Sequence, residues 1–312
     1  MLVDLPESQL RSYLGSTAEP DDFDDFWSRT LDEARSTELN LRIERVDNPL
    51  KTIDVFDITF NGFGGQPINA WLRLPSEPHR VRSTIVEYIG YGGGRGFATE
   101  NLLLASAGFA HFVMDTRGQG STWSVGSTAD PDGSGPQVPG FLTRGIETPE
   151  TYYYRRLITD AVRAVDAARA LDLFPTCEVS VQGVSQGGGL ALAVAGLVPD
   201  LAGAVVRVPF LSDFPRAISM TDAAPYKEIS SYLATRRHDV DTVLRTLSYV
   251  DGVNFAKRAT APAYFSAALM DAVCPPSTVF AAYNNYAGPD KSIEVWPFNG
   301  HEGGGHFDDL AS

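Results

Sequence analysis

Two hydrophobic periods alternate along the chain. Between residues 20 and 36, Phe23, Phe26, Trp27, Leu31 and Ala34 recur at helical spacing behind an acidic first turn opened by Pro20, which predicts an amphipathic helix docked on an apolar surface. The period then falls to two. Segments around 52–60 and 67–74, the second with Ile68, Ala70, Leu72 and Leu74 alternating with more polar neighbours, flank a turn containing Gly62, Gly64 and Gly65 and predict an antiparallel hairpin. From residue 81, short apolar runs are separated by helical stretches, the rhythm of βαβ units around a mainly parallel sheet flanked by helices. The predicted strands are 84–89, 109–114, 178–182, 203–208, 262–269 and 292–296. The strongest helical signal spans 149–171, where Tyr154, Leu157, Ile158, Ala161, Val162, Val165 and Ala168 form one apolar stripe. Two stretches break the alternation, a Gly/Pro-rich loop at 118–148 and a charged, helical insertion at 211–258. Long excursions of this kind shape substrate pockets in α/β enzymes. The expected organisation is one domain over 1–312, with an N-terminal extension and hairpin (1–80), a core (81–210 and 259–312) and the insertion (211–258).

Composition narrows the function classes. With 43% hydrophobic and 21% charged residues among 312, the chain has ample material for a packed core, and disorder is excluded. A formal charge of −14 repels phosphate backbones and anionic lipid, so neither nucleic acid nor a membrane is expected as a partner. The longest apolar run, Leu190 to Val198, is about half a membrane span, and the first ten residues carry no basic segment followed by an apolar one. Two distant cysteines, Cys177 and Cys274, are unlike the framework of a stapled secreted domain, although spacing alone leaves a bond between them open. A reduced, cytoplasmic protein is the expectation.

The chemistry concentrates in Gly183-Val184-Ser185-Gln186-Gly187, between a predicted strand and an apolar helix. Strand, Gly-flanked serine and helix in that order predict a nucleophile elbow, and with it an α/β-hydrolase fold. The competing reading, a Gly-rich turn whose serine only caps the helix, does not require this context. In such folds the acid and the base follow the serine on loops after later strands. Asp271 follows the strand 262–269, and His301, in Asn299-Gly300-His301-Glu302-Gly303, follows 292–296. Taken alone, Asp271 reads better as a cap for the helix begun by Pro275 and Pro276; its place in the series makes it the acid. His306 rivals His301 for the base, His111 reads as a core histidine, and His79 and His238 lie in polar surroundings upstream of the acid. Oxyanion donors are expected from the backbone N–H groups of Gln186 and of Tyr91, in the Gly-rich loop Gly90–Gly96. That loop lacks the Lys-Ser/Thr sequel of a phosphate cradle, and neither HExxH nor CxxC occurs, so no cofactor and no metal are expected. Tyr91 with Pro209, Phe210 and Leu211 is expected to wall a shallow acyl pocket, selecting acetyl over longer acyl groups.

Together these segments resemble the acetyl xylan esterase and cephalosporin C deacetylase group of α/β-hydrolases, carbohydrate esterase family 7. The resemblance covers nearly the whole chain. It rests on DDFDDFW at 21–27, GYGGGRG at 90–96, DTRGQGS at 115–121, TRGI at 143–146, YYYRR at 152–156, GVSQGG at 183–188 and GHEGG at 300–304. It implies a serine esterase with Ser185, Asp271 and His301 as triad, Tyr91 and Gln186 amides as oxyanion hole, and Arg117, Gly118 and Gln119 as a structural motif beneath the site. It further implies a cytoplasmic hexamer acting on small acetylated carbohydrates or cephalosporin esters without a cofactor. The alternatives are a serine hydrolase of another specificity, such as a longer-acyl esterase or a peptidase, and a non-catalytic binding relative. One departure is the end of the chain, where 11 residues follow His301, fewer than the terminal helix such a protein implies.

Overall fold

A computed structural model describes residues 4–132, 139–174 and 178–311. Cys177, and with it any Cys177–Cys274 bond, lies outside the described residues, as does 133–138 of the loop at 118–148.

Among the described residues nine strands form one sheet: β1 (Arg42–Val46), β2 (Ile53–Asn61), β3 (Pro67–Pro75), β4 (Thr84–Tyr88), β5 (Ala110–Met114), β6 (Val179–Val184), β7 (Gly203–Arg207), β8 (Ala263–Ala268) and β9 (Lys291–Trp296). Their order is β1-β2-β3-β5-β4-β6-β7-β8-β9. The hairpin β2–β3 pairs antiparallel, as do β1–β2 and β3–β5, and every pairing from β5 to β9 is parallel. The fold class read from the sequence is therefore the one observed, an α/β-hydrolase sheet with an antiparallel extension. All six core strands lie where the apolar runs predict them, to within about two residues at either end.

β1 was not predicted, for a physical reason. It lies at the sheet edge, and four of its five residues are exposed, so it carries no apolar alternation to read.

Across the register, Val86 pairs with both Phe112 and Val181, and two residues further along the strands Val206 pairs with Phe265, all five fully buried. The helix Tyr153–Arg169 covers this layer with Leu157, Ile158, Ala161, Val162 and Val165, all buried. Beside it the helix Gln186–Leu197 is apolar on all sides and enclosed over Gln186–Ala195. The insertion is helical as expected, with helices Phe214–Met220, Tyr226–Thr235, Val240–Ser248 and Gly252–Ala256. The apolar surface that receives the N-terminal helix Phe23–Arg35 is the far end of this insertion: Phe23 and Trp27 pack edgewise or tilted on Phe255, and Trp27 Nε1 donates to Tyr249 O at 2.8 Å.

Candidate active site

Ser185 stands between β6 and the helix Gln186–Leu197 with φ 59° and ψ −120°, a conformation that costs an L residue about 1–3 kcal/mol. The flanking glycines make the turn possible. A Cβ on Gly183 would lie 2.2 Å from Gly187 C, and one on Gly187 would lie 2.1 Å from Tyr88 O. The backbone locks the turn, with Ser185 N donating to Arg207 O at 3.0 Å and Phe210 N donating to Ser185 O at 2.9 Å. The helix that follows offers its first N–H groups, Gln186 N foremost, without intrahelical acceptors.

Beyond β8 and β9 the two loops stay laced together, with Leu269 N donating to Trp296 O and Met270 N to Asn299 O. This brings Asp271 and His301 to the serine. His301 Nδ1 lies 2.8 Å from Asp271 Oδ2, and His301 Nε2 lies 2.9 Å from Ser185 Oγ. Asp271 is fully buried, and its Oδ1 accepts from Val273 N at 2.8 Å and Cys274 N at 2.9 Å. Asp271 does not cap the helix Pro276–Asn285, which has no side-chain cap: its Oδ1 closes a turn in the loop before that helix, and its Oδ2 faces His301. Glu302 Oε1 accepts from Gly300 N, which steadies the histidine loop.

The rival histidines lie elsewhere. His306 is exposed at the start of the helix His306–Ala311. His111 is buried in β5 with Nε2 2.7 Å from Glu87 Oε2. The helix His306–Ala311 is anchored: buried Asp308 accepts from Tyr264 Oη, Ser266 Oγ, Trp296 Nε1 and Gly304 N.

Under the serine, Gln186 and Gln119 form a buried amide pair. Gln186 Nε2 donates to Ile89 O, its Oε1 accepts from Tyr154 Oη and Gln119 Nε2, and Gln119 Oε1 accepts from Gly92 N at 2.6 Å. The loop carrying Tyr91 is therefore tied to the residue after Ser185. Gly118 takes the left-handed turn, φ 66°, between Arg117 and Gln119. Arg117 acts one step further away, forked on buried Asp160 through Nε and Nη2, while its carbonyl accepts from Tyr153 Oη.

A cavity of about 610 Å³ opens over Ser185 and His301, walled by Tyr91, Trp123, Pro225 and Glu228. Of the expected acyl wall, Tyr91 reaches the cavity. Phe210 does not: it is fully buried behind Tyr91, ring centroids 6.2 Å apart, and Pro209 and Leu211 are buried with it. Phe210 backs the wall and leaves its surface to Tyr91.

Sequence reasoning missed Glu228. Its Oε1 accepts from Tyr91 Oη at 2.5 Å and from Gly140 N at 3.1 Å, and its Oε2 accepts from Leu142 N at 3.1 Å. Tyr91 Oη in turn accepts from Gly140 N and Phe141 N, each at 3.0 Å. Burial pushes the Glu228 carboxyl above its ordinary range, against the pull of these donors, and burial with the neighbouring carboxylate pushes the Tyr91 phenol well up. Glu228 is a first-turn acid of the helix Tyr226–Thr235, and no spacing there marks it as facing a cavity.

Among the described residues, one set of His, Cys and carboxylate ligand atoms lies within 4.8 Å of one another, Asp271, Cys274 and His301. Two of its three members are already hydrogen-bonded to each other, and the third, Cys274, is a buried thiol whose pKa burial and Asp271 push well up. No described helix is long and apolar enough to cross a membrane.

The acetyl xylan esterase (AXE1) family model matches residues 1–311. An acetyl xylan esterase from Paenibacillus sp. R4 is 38% identical, superposes with a TM-score of 0.91 and covers 98% of this chain and 97% of its own. Acetyl xylan esterase 1 from Thermoanaerobacterium sp. JW/SL YS485 is 34% identical, with a TM-score of 0.90 over 99% of this chain and 97% of its own. The acetyl esterase Axe7A of Xylanibacter ruminicola is 29% identical over 288 residues, 91% of this chain; the chain spans 64% of that curated relative's length. On the family match and the two full-length structural likenesses, the chain belongs to the acetyl xylan esterase family.

Proposed function

We propose that this protein is a serine esterase that removes acetyl groups from acetylated xylo-oligosaccharides and other small acetyl esters such as cephalosporin C. The observation that carries the reading is the unbroken hydrogen-bonded line Ser185 Oγ, His301 Nε2, His301 Nδ1, Asp271 Oδ2 at the floor of an open cavity. Ser185 Oγ attacks the ester carbonyl while His301 Nε2 takes its proton. Asp271 accepts from Nδ1–H, which holds the tautomer and stabilises the imidazolium. The N–H groups of Gln186 and Tyr91 receive the oxyanion. His301 then returns its proton to the leaving alkoxide, freeing the alcohol and leaving acetyl on Ser185. In the second half water, deprotonated by His301, releases acetate by the same path.

Two features support acetyl as the acyl group and a sugar as the alcohol. The Tyr91 ring is fixed at the cavity wall by Glu228 and backed by Phe210, which limits the space beside the oxyanion donors. The cavity of about 610 Å³ is many times an acetyl group, and the remaining room suits a larger alcohol. A hexameric, cytoplasmic protein is the assembly and setting that the family resemblance supports, and light scattering at micromolar concentration checks the first.

The test is an acyl series on one leaving group with active-site labelling. A fluorophosphonate should modify Ser185, and kcat/KM should fall from acetate to butyrate to octanoate. A rise with chain length contradicts the deacetylase reading, and an unlabelled serine contradicts the mechanism.

A further inference from the structure

Trp123 and Phe97 stand beside the catalytic cavity with 64% and 62% of their surface exposed, yet neither is loosely held. Trp123 Nε1 donates to Tyr91 O at 2.8 Å, and the edge of the indole fills the space over Gly93, where a Cβ would lie 2.4 Å from Trp123 Cζ2. The backbone of Phe97 is pinned on both sides, its N–H donating to Glu100 Oε2 at 2.9 Å and its carbonyl accepting from Nη2 of fully buried Arg73 at 3.0 Å. Large apolar side chains left in water cost stability unless something covers them. Here an indole hydrogen bond and a glycine seat the Trp123 face, and a buried arginine fixes the backbone that carries Phe97, while both rings stay largely in water.

Both line a second cavity of about 490 Å³, which has Glu100, Asn101, Trp123 and Ser124 in common with the catalytic one. Its rim adds hydroxyl and carboxylate groups, Thr122 and Glu100 among them, so it is polar around an aromatic floor. A pyranose has the matching surface. Its axial C–H bonds present a weakly positive apolar face that suits the negative face of an aromatic ring, and its equatorial hydroxyls need polar partners at the edge. A long-chain acyl group would find too many polar partners there, and a phosphate or nucleotide would meet Glu100 without a described lysine or arginine in the lining.

We infer that Trp123 and Phe97 form a carbohydrate subsite that binds an unacetylated sugar residue of the same oligosaccharide whose acetylated residue reaches Ser185. The inference rests on the esterase reading for its geometry but is measurable without it. Binding at this subsite holds the chain while the acetylated unit is presented, so oligosaccharides are favoured over single sugars and the chain length of the alcohol, not of the acyl group, sets the rate.

Two arms test this on the full-length protein. In the first, Ser185→Ala is titrated with unacetylated xylotriose by tryptophan fluorescence; a saturable change is expected, about tenfold weaker in affinity in Ser185→Ala/Phe97→Ala. In the second, kcat/KM is compared for acetylated xylotriose and acetylated methyl xyloside, and normalised to 4-nitrophenyl acetate. The native trisaccharide preference should fall by about tenfold in Phe97→Ala and in Trp123→Leu, with Phe97→Tyr restoring it. Because Trp123 also holds Tyr91, the ratio and not the absolute rate is the readout. Absence of xylotriose binding, or a ratio unmoved by both substitutions, overturns the subsite. A changed particle mass in light scattering of Phe97→Ala with an unmoved ratio also overturns it, assigning the face to contacts between copies of the chain. No turnover of 4-nitrophenyl acetate by the native protein, with xylotriose still bound, would instead overturn the esterase reading and leave the subsite standing.

Discussion

Among the described residues, two histidine–carboxylate pairs meet at nearly equal, hydrogen-bonding distance, and one of these two has a serine hydroxyl within reach. His301 and Asp271 meet at 2.8 Å on loops beyond β9 and β8; His111 and Glu87 meet at 2.7 Å inside neighbouring strands β5 and β4. In the first pair the far ring nitrogen touches Ser185 Oγ at the floor of a cavity. In the second, the far nitrogen, Nδ1 of His111, is buried with no hydrogen-bond partner among the described residues. The shared motif orients an imidazole in both places. What differs is what meets the far ring nitrogen: for His301 the Ser185 hydroxyl, for His111 no described polar atom. By this contrast the proposed mechanism draws on the His301 pair and the His111 pair is expected to act on stability, and each can be challenged separately.

The largest effect is expected at the nucleophile. Ser185→Ala should retain the native circular dichroism and thermal midpoint while kcat/KM for an acetyl ester drops by about 10³-fold or more. A folded variant with native turnover would end the proposed mechanism. His301→Ala should be comparably severe and His306→Ala mild, since His306 is exposed on the terminal helix. If the outcomes were reversed, the base would be His306. Asp271→Asn should lose less than Ser185→Ala, as the acid never bonds to substrate and acts by holding the tautomer of His301.

How much of this was legible follows from which contacts are local. Ser185 is announced by its own neighbours, glycines at 183 and 187 between a strand and a helix. Asp271 and His301 need only the count of strands before them. Trp123 and Glu228 carry no such signal. Trp123 reaches Tyr91 across 32 residues and Glu228 reaches it across 137, and nothing in the helix Tyr226–Thr235 marks one acid as facing a cavity. The fold divides the same way. Strands with buried, alternating or continuous apolar runs are visible in the sequence, and β1, bonded by its backbone with most side chains in water, is not.

A mid-sized effect should separate wall from floor. Glu228→Leu strips the acceptor from Tyr91 Oη and from the amides of Gly140 and Leu142, while leaving the Ser185–His301–Asp271 line untouched. With the Tyr91 ring and amide displaced together, kcat/KM for acetate should fall by about 10- to 100-fold. Butyrate should lose less because the wall has receded. The acetate-to-butyrate ratio is the discriminating quantity, and a purely structural role for Glu228 would lower both rates equally. Glu228→Gln, which keeps a carbonyl oxygen for the tyrosine, should recover part of the ratio.

The smallest effect concerns the second pair and should appear in stability. Burial opposes ionisation of Glu87, but the hydrogen bond and charge of His111, with help from Gln182 and Arg207, overcome it and hold the carboxyl down at about 2, against 4.5 for a free side chain. A depressed native pKa means the folded state favours the ionised form. The resulting stabilisation is present above the unfolded-state value and is lost as pH falls from about 5 towards 2. Glu87→Gln, which keeps the shape and removes the titration, should therefore be less stable than the native chain at pH 7, with the gap between their urea midpoints narrowing as the pH is lowered through that window. A gap that stays constant with pH would mean that the pair is held by packing alone. If His111→Phe also erased esterase turnover in a protein that remained folded, the division between a catalytic and a stabilising pair would fail.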